Sequence, residues 1–85
     1  MKEITKEQIV QFLKEKIAAE CQIPIEDIKT DVEFSDFRMD SVNAIFIMDE
    51  LENYLEVELN PLYFWDYRNI DAFTNFIFEK HFNSM

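Results

Sequence analysis

Apolar residues recur with a helical period close to the beginning of the chain. Thr5 and Gln8 form a capping-box pattern, in which the Thr5 hydroxyl accepts from the backbone N–H of Gln8 and the Gln8 side chain returns to Thr5. Ile4 and Ile9 occupy the positions of a hydrophobic staple. The apolar residues that follow at helical spacing are Ile9, Val10, Leu13, Ile17, Ala18 and Cys21. This pattern predicts a first helix that ends near Cys21.

The helical period fades between Gln22 and Asp40. Pro24 interrupts any helix in this segment, and we expect Phe34 and Phe37 to pin it to the core. Three isoleucines are spaced as further anchors: Ile23, Ile25 and Ile28. The pattern predicts a long ordered loop with one short turn at residues 25–28. Loops of this length in a small domain are more often functional than idle.

A second amphipathic pattern begins at Asp40 or Ser41 and extends to about Leu55. Asp40 is a suitable N-cap, because its carboxylate can accept from the backbone N–H of Val42 or Asn43. At about 100° per residue, the apolar positions of this segment share one face. The predicted buried face consists of Ala44, Ile47, Met48, Leu51 and Leu55, with Ile45 at its margin.

Two further helices are predicted towards the C-terminus. A short helix from Pro61 to about Tyr67 has proline at its first position, and Asn69 caps a fourth helix. The apolar residues of these helices are Leu62, Tyr63, Phe64 and Trp65, and then Ile70, Phe73, Phe76 and Ile77. The chain contains no glycine, which disfavours tight hairpins and phosphate-cradling loops. The prediction is an all-α fold, a four-helix bundle of three long helices and one short helix, in one domain spanning residues 1–85.

The size and charge of the chain limit the functions it can have. Its 85 residues leave room for one core and little else, which argues against an enclosed substrate cavity and so against an enzyme. Residues 26–66 contain 12 acidic and 2 basic residues and the remainder contains 6 of each, so the net charge of −10 lies in the middle of the chain. This distribution argues against nucleic-acid binding and favours partners with basic docking surfaces. The alternative is that the acidic surface only keeps an aromatic-rich domain soluble.

Other residues indicate the compartment and exclude some kinds of site. The single cysteine, Cys21, cannot form an internal disulfide and fits a reducing compartment. No long apolar run suggests a signal peptide or a membrane span, so we expect a cytoplasmic monomer that does not act at a membrane. The acidic residues of the loop lack EF-hand spacing and its central glycine, so no metal site is predicted. His81 is expected, with Lys80, to offset the C-terminal dipole of the last helix.

Two segments carry a resemblance to a known family. One is Asp40-Ser41-Val42 at the predicted start of the second helix, and the other is Phe64-Trp65-Asp66-Tyr67 in the short helix. Together with the capped first helix, the long anchored loop and the closing helix, they resemble the acyl carrier protein family over nearly the whole chain. The second segment is similar to one found in polyketide-synthase-type carriers. Arg38 stands where the family usually has glycine, and Val42 where leucine is commonest.

The resemblance implies a carrier with no catalytic residues of its own. Ser41 would be the attachment site of a phosphopantetheine arm, which a phosphopantetheinyl transferase adds from coenzyme A, and Asp40 would be a motif residue and the helix N-cap. The thiol of the arm would hold acyl intermediates as thioesters. The carrier would present them to acyl-loading, condensing or modifying enzymes of a polyketide-like or other specialised pathway. The alternative function is an unmodified acidic protein-interaction module.

The position of Ser41 supports this implication on physical grounds. A hydroxyl in the first turn of a helix lies beside unpaired backbone N–H groups and the positive end of the helix dipole, which favour an incoming phosphate. The only histidine, His81, lies near the far end of the sequence. With no base at hand to activate the serine, a hydrolase that uses Ser41 is disfavoured.

The exposed face of the second helix is predicted to dock partners. Phe46 lies about 160° around the helix from Met48, so its ring has no partner within the helix. We expect Phe46 and Val42 to form a small apolar centre beside Ser41, surrounded by a polar rim. The rim residues are Asp49, Glu50 and Asn53, and Asn43 is a further docking residue on the same face. The alternative is that the long loop or the third helix covers Phe46.

Overall fold

The computed structural model describes residues 4–60 and 62–82. In these residues the backbone forms four α-helices, which confirms the predicted all-α fold: α1 (Lys6–Cys21), α2 (Ser41–Leu55), α3 (Tyr63–Asp66) and α4 (Ile70–His81). Two 3-10 turns, Ile25–Asp27 and Phe34–Phe37, lie between α1 and α2. An isolated antiparallel bridge joins Glu33 to Asn69. No helix in the described ranges is long and apolar enough to cross a membrane.

Local hydrogen bonds fix the starts of α1 and α4. The Thr5 hydroxyl accepts the backbone N–H of Gln8 at 3.1 Å, and Gln8 Oε1 accepts the Thr5 N–H at 2.9 Å, which confirms the predicted capping box. Asn69 Oδ1 accepts the N–H of Ala72 at 2.7 Å, as predicted for the N-cap of α4. Because these bonds join residues three positions apart, the local sequence is sufficient to specify them.

The core lies where α1 packs against α2 and α4. The predicted apolar face of α2 is buried along its whole length. The fully buried apolar residues of α1 and α4 are Ile9, Leu13 and Ile17, and Ile70, Phe73 and Ile77. The Phe64 ring of α3 stacks on Phe73 with 4.8 Å between ring centroids, and Phe34 meets Phe64 edge-on at 4.7 Å. These aromatic contacts join the loop, α3 and α4 into the same core.

The connection between α1 and α2 is held against the start of α4. The backbone N–H of Phe34 donates to the carbonyl of Arg68 at 2.7 Å, and the N–H of Asp71 donates to the carbonyl of Thr30 at 3.1 Å. The Thr30 hydroxyl also donates to the Asp71 carboxylate at 3.0 Å. Phe34 and Phe37 are both buried, so the prediction that they pin the loop to the core is confirmed.

Two predictions for this connection need correction. It contains a second 3-10 turn, Phe34–Phe37, besides the one predicted near residue 25. Of the three predicted anchors, Ile28 is buried and Ile23 is half-buried, but Ile25 is exposed. A turn of four residues is too short to show a helical period, so the sequence pattern could not distinguish it from irregular chain.

The third helix is shorter than predicted. It spans Tyr63–Asp66, whereas the pattern predicted a helix from Pro61 to about Tyr67. Tyr67 already has an extended backbone, with φ of −123° and ψ of 99°. The prediction that Pro61 is the first helical residue falls outside the described residues.

Candidate functional site

Ser41 is the first residue of α2, and it is exposed. The N-cap is Asp40, whose Oδ1 accepts the backbone N–H of Asn43 at 2.8 Å, while Asn43 Oδ1 accepts the Asp40 N–H at 3.4 Å. The sequence predicted the cap but missed the return bond, because the usual signature has Glu or Gln rather than Asn at that position. Asp40 and Asn43 thus complete the cap without the Ser41 hydroxyl. No described residue hydrogen-bonds that hydroxyl, so it is free to react.

The start of α2 also offers backbone donors beside this hydroxyl. The N–H of Asn43 is bonded to the Asp40 side chain, and the N–H of Ala44 donates to the Asp40 carbonyl at 3.0 Å. The N–H groups of Ser41 and Val42 have no partner among residues 4–60 and 62–82. Unpaired N–H groups at the positive end of a helix dipole are good partners for phosphate oxygens.

Contacts with α1 hold α2 in place. Asn43 Nδ2 donates to Glu20 Oε1 at 3.2 Å, and Lys16 Nζ lies 2.8 Å from Glu50 Oε2. The ion pair is partly exposed, so it stabilises the fold by about 1 kcal/mol at most. Asn43 and Glu50, two of the predicted docking residues, therefore also position the helix.

The other predicted docking residues of α2 lie on the surface. Val42 is 73% exposed and Phe46 is 48% exposed, so the alternative that the loop or α3 covers Phe46 is wrong. Asp49 and Asn53 are exposed on the same helix. Ile45, predicted at the margin of the buried face, is 55% exposed and enlarges the apolar area.

Two residues of the α3 region are also apolar and exposed. Leu62 is 61% and Trp65 is 56% exposed, whereas Phe64 between them is buried. Sequence reasoning missed their exposure, because an unbroken run of large apolar residues has no polar face that would show which side chains point outward. The exposed side chains of the two regions are together called the apolar surface: Val42, Ile45, Phe46, Leu62 and Trp65.

Arg38 precedes the site in a left-handed conformation, with φ of 60° and ψ of 33°. Glycine adopts this conformation without penalty, whereas a residue with a Cβ atom costs about 1 kcal/mol. The Arg38 side chain is exposed and has no ion pair among the described residues. The departure from glycine therefore adds backbone strain and an unpaired cation three residues before Ser41.

Among the described residues, two titratable side chains have shifted pKa values. Burial, followed by the charges of Glu20 and Asp40, raises the pKa of the Cys21 thiol, so Cys21 is protonated at neutral pH. Burial, followed by the charge of Lys80, lowers the pKa of His81. Lys80 and His81 both lie in the last turn of α4, as the sequence predicted, and the lowered pKa of His81 makes Lys80 the stronger contributor of positive charge against the helix dipole. The described residues contain no cluster of three or more candidate metal ligands.

The match to a family model identifies the family of this chain. The model of the phosphopantetheine attachment site family matches residues 11–77, which is more than half of the chain. The chain belongs to this family. No curated protein matches this carrier protein in sequence.

Two solved structures resemble this carrier protein. A free-standing peptidyl carrier protein from an uncharacterized secondary metabolic pathway of Acinetobacter baumannii is 27% identical, with a TM-score of 0.83, over 88% of this chain and 94% of that chain. The HMG-ACPI domain of the CurA module from Lyngbya majuscula is 19% identical, with a TM-score of 0.81, over 94% of this chain and 81% of that chain. The second likeness supports the fold alone.

Membership of the family implies a covalently attached phosphopantetheine group. The start of α2 fits such a group, because it combines an exposed, unbonded hydroxyl with two unpaired backbone N–H groups. Carrier proteins of this family generally hold intermediates rather than catalyse reactions. They interact with phosphopantetheinyl transferases and with biosynthetic enzymes.

Proposed function

We propose that Ser41 is the residue that carries phosphopantetheine, and that this protein presents acyl intermediates to the enzymes of a polyketide-like or other specialised pathway. The observation that carries the proposal is the exposed hydroxyl of Ser41, left unbonded at the open start of α2. When bound, the group supplies a thiol on which an acyl intermediate is held as a thioester. The likeness to a free-standing peptidyl carrier protein of a secondary metabolic pathway supports a specialised pathway.

The residues around Ser41 have distinct roles in this proposal. Asp40 and Asn43 cap the helix and so fix the backbone of the turn from which the Ser41 side chain extends. The N–H groups of Ser41 and Val42 lie where they can donate to a phosphate attached to that hydroxyl. The chain has one histidine, His81, at the end of α4, so the base that removes the Ser41 proton comes from the transferase.

The surface around Ser41 suits transient docking. The apolar surface provides an uncharged centre, and Asp49, Glu50 and Asn53 provide a polar rim on α2. The concentration of acidic residues between positions 26 and 66 would speed encounters with basic partner surfaces. In this proposal the carrier works as a cytoplasmic monomer, and its partners are a phosphopantetheinyl transferase and acyl-loading, condensing or modifying enzymes.

The proposal is tested by weighing the intact protein after incubation with coenzyme A, magnesium and a promiscuous phosphopantetheinyl transferase. We expect the mass of one phosphopantetheine arm to be added. Ser41→Ala should gain no mass, because the acceptor hydroxyl is absent. Ser35→Ala is the matched control, since Ser35 is an exposed serine in the preceding turn, and this variant should be modified like the wild type.

An unmodified wild-type protein under several transferases would contradict the proposal and favour an unmodified acidic interaction module. Modification of Ser41→Ala would show that another residue is the acceptor. Circular dichroism of each variant checks that the helices are intact, so that a failure to react is not a failure to fold.

A further inference from the structure

An open cleft lies between the Phe34–Phe37 turn, the start of α2 and α3. Its volume is about 390 Å³, near the lower end of the range for small-molecule pockets. Most of its wall is apolar and comes from Phe34, Met39, Ala44, Phe64 and Trp65. The cleft is too small for a long arm together with its cargo, but it suits the end of a short acyl group.

The cleft opens beside the start of α2. Met39 lies two residues before Ser41, and Ala44 lies one helical turn after it on the buried face. A flexible arm on Ser41 can therefore fold back and bring the end of its acyl group to these residues. The inference below rests on the proposed function, since it concerns what the arm on Ser41 carries.

Among the described residues that line the cleft, Arg68 is the one that is basic. Its backbone carbonyl accepts from Phe34 at 2.7 Å, which holds this part of the chain against the loop. Its guanidinium forms no ion pair among the described residues, although Glu33 lines the same cleft. An arginine that remains unpaired in a chain with 18 acidic and 8 basic residues keeps its donors available to a ligand.

We propose that the cleft favours acyl groups that end in a carboxylate, with the apolar part of the acyl chain against Trp65 and Met39 and the carboxylate on Arg68. A guanidinium presents a planar fork of donors that matches a carboxylate and can bind it through two parallel hydrogen bonds. The net negative charge of the chain disfavours binding of a carboxylate. Salt screens this repulsion beyond about 8 Å, whereas the contact between the carboxylate and Arg68 is direct. An acyl group that ends in an ammonium would instead pair with the Glu33 carboxylate, and one that ends in a methyl group would form no hydrogen bond with Arg68.

The test compares three acyl groups of similar length on the intact protein. A promiscuous transferase loads the arm directly from glutaryl-, valeryl- or 4-(trimethylammonio)butyryl-coenzyme A, and the mass of each product is measured first. Trp65 is the only tryptophan, so its fluorescence reports directly on the cleft. The second measurement is the rate at which hydroxylamine cleaves each thioester, because a sheltered acyl group reacts more slowly.

We expect the glutaryl form to shift the Trp65 emission most and to be cleaved roughly threefold to fivefold more slowly than the valeryl form, the size of effect typical of one partly exposed charged contact. Arg68→Gln should remove this difference. Its backbone bond to Phe34 is kept, so the fold is retained. Arg38→Gln is the matched control, because Arg38 is a second unpaired arginine but does not line the cleft, and it should retain the difference.

The possible failures are distinguishable. If no arm is added in any reaction, the proposed function is wrong. If all three arms are added but the valeryl or the trimethylammoniobutyryl form is protected as well as the glutaryl form, the carboxylate preference is wrong while the carrier function stands. If Arg38→Gln removes the preference as completely as Arg68→Gln, general positive charge rather than the cleft is responsible, and the inference is overturned.

Discussion

α2 and α4 begin with closely similar caps. Asp40 accepts the N–H of Asn43 at 2.8 Å in α2, and Asn69 accepts the N–H of Ala72 at 2.7 Å in α4. Their first residues nevertheless lie in opposite environments, because Ser41 of α2 is exposed whereas Ile70 of α4 is fully buried. The cap makes a helix start in both places, and only the packing around it decides whether that start is open to a partner.

The apolar residues outside the buried faces of these helices show the same contrast. In α4, Phe76 is half-buried, because it stacks on Tyr67 at 4.2 Å between ring centroids and meets Tyr63 edge-on at 4.8 Å. In α2, Phe46 and Val42 stay exposed. The protein thus covers such residues in α4 and leaves them open beside Ser41, which is the pattern expected of a docking surface.

The largest expected effect is a difference in stability between variants that lose a phenylalanine of α4 and variants that lose one of α2. Phe73→Ala should lower the free energy of unfolding by about 3–5 kcal/mol, because the ring is fully buried and stacked on Phe64. Phe46→Ala should lower it by less than about 1 kcal/mol, since nearly half of that side chain is already in water. Urea denaturation measures both values. Similar losses for the two variants would mean that α2 has no open face.

A smaller expected effect is a difference in the rate of acyl transfer between variants in α2 and variants in α4. Phe46→Ala should slow acyl transfer to or from a cognate enzyme about tenfold, because central aromatic residues contribute most to transient interfaces. Transfer is followed by intact mass after rapid mixing. Phe76→Ala is the control, a half-buried phenylalanine of α4, and its folded fraction should transfer acyl groups at the wild-type rate. If Phe46→Ala transfers normally, the docking proposal loses its central residue.

Removing either cap should lower the stability of the protein by a similar amount, but only removal of the α2 cap should slow the addition of phosphopantetheine. Asp40→Ala and Asn69→Ala should each lower the free energy of unfolding by about 1 kcal/mol. Only Asp40→Ala should also slow the addition of phosphopantetheine, because Asp40 orients the turn that presents Ser41. Thermal denaturation and time-resolved mass measurements provide the two readouts. Equal modification rates for both variants would show that the cap of α2 has no role beyond folding.

The smallest expected effect is the change of the melting temperature with salt concentration. Between low and moderate salt, we expect the melting temperature to rise, because salt screens repulsion among the acidic residues over about 8–10 Å. Differential scanning calorimetry measures the change. Asp49→Asn in the acidic stretch should reduce the salt dependence, whereas Lys29→Gln should increase it. A melting temperature that stays flat or falls with salt would contradict this account of the acidic surface.

Local patterns predicted most of the helical framework. The bounds of α1 and α2, the start of α4 and the buried face of α2 agree with the sequence-based prediction, because caps join residues three apart and helical faces repeat every 3.6 residues. The second 3-10 turn was not predicted, and α3 was predicted but with bounds that were too wide. These elements span too few residues to show a period, and contacts between Phe34, Phe64 and Phe73 determine their position.

The features of the candidate site likewise divide into those that the local sequence specifies and those that depend on tertiary packing. The sequence by itself determined that Asp40 caps a helix beginning at Ser41, that the middle of the chain is acidic, and that Phe46 lies opposite the buried face of α2. Only the tertiary structure decided that Phe46 remains open, that Trp65 is exposed, and that a cleft with Arg68 on its wall opens beside Ser41. The physical reason is separation along the chain: the cleft joins residues 33–44 to residues 64–68, and no local pattern specifies how two such distant segments pack.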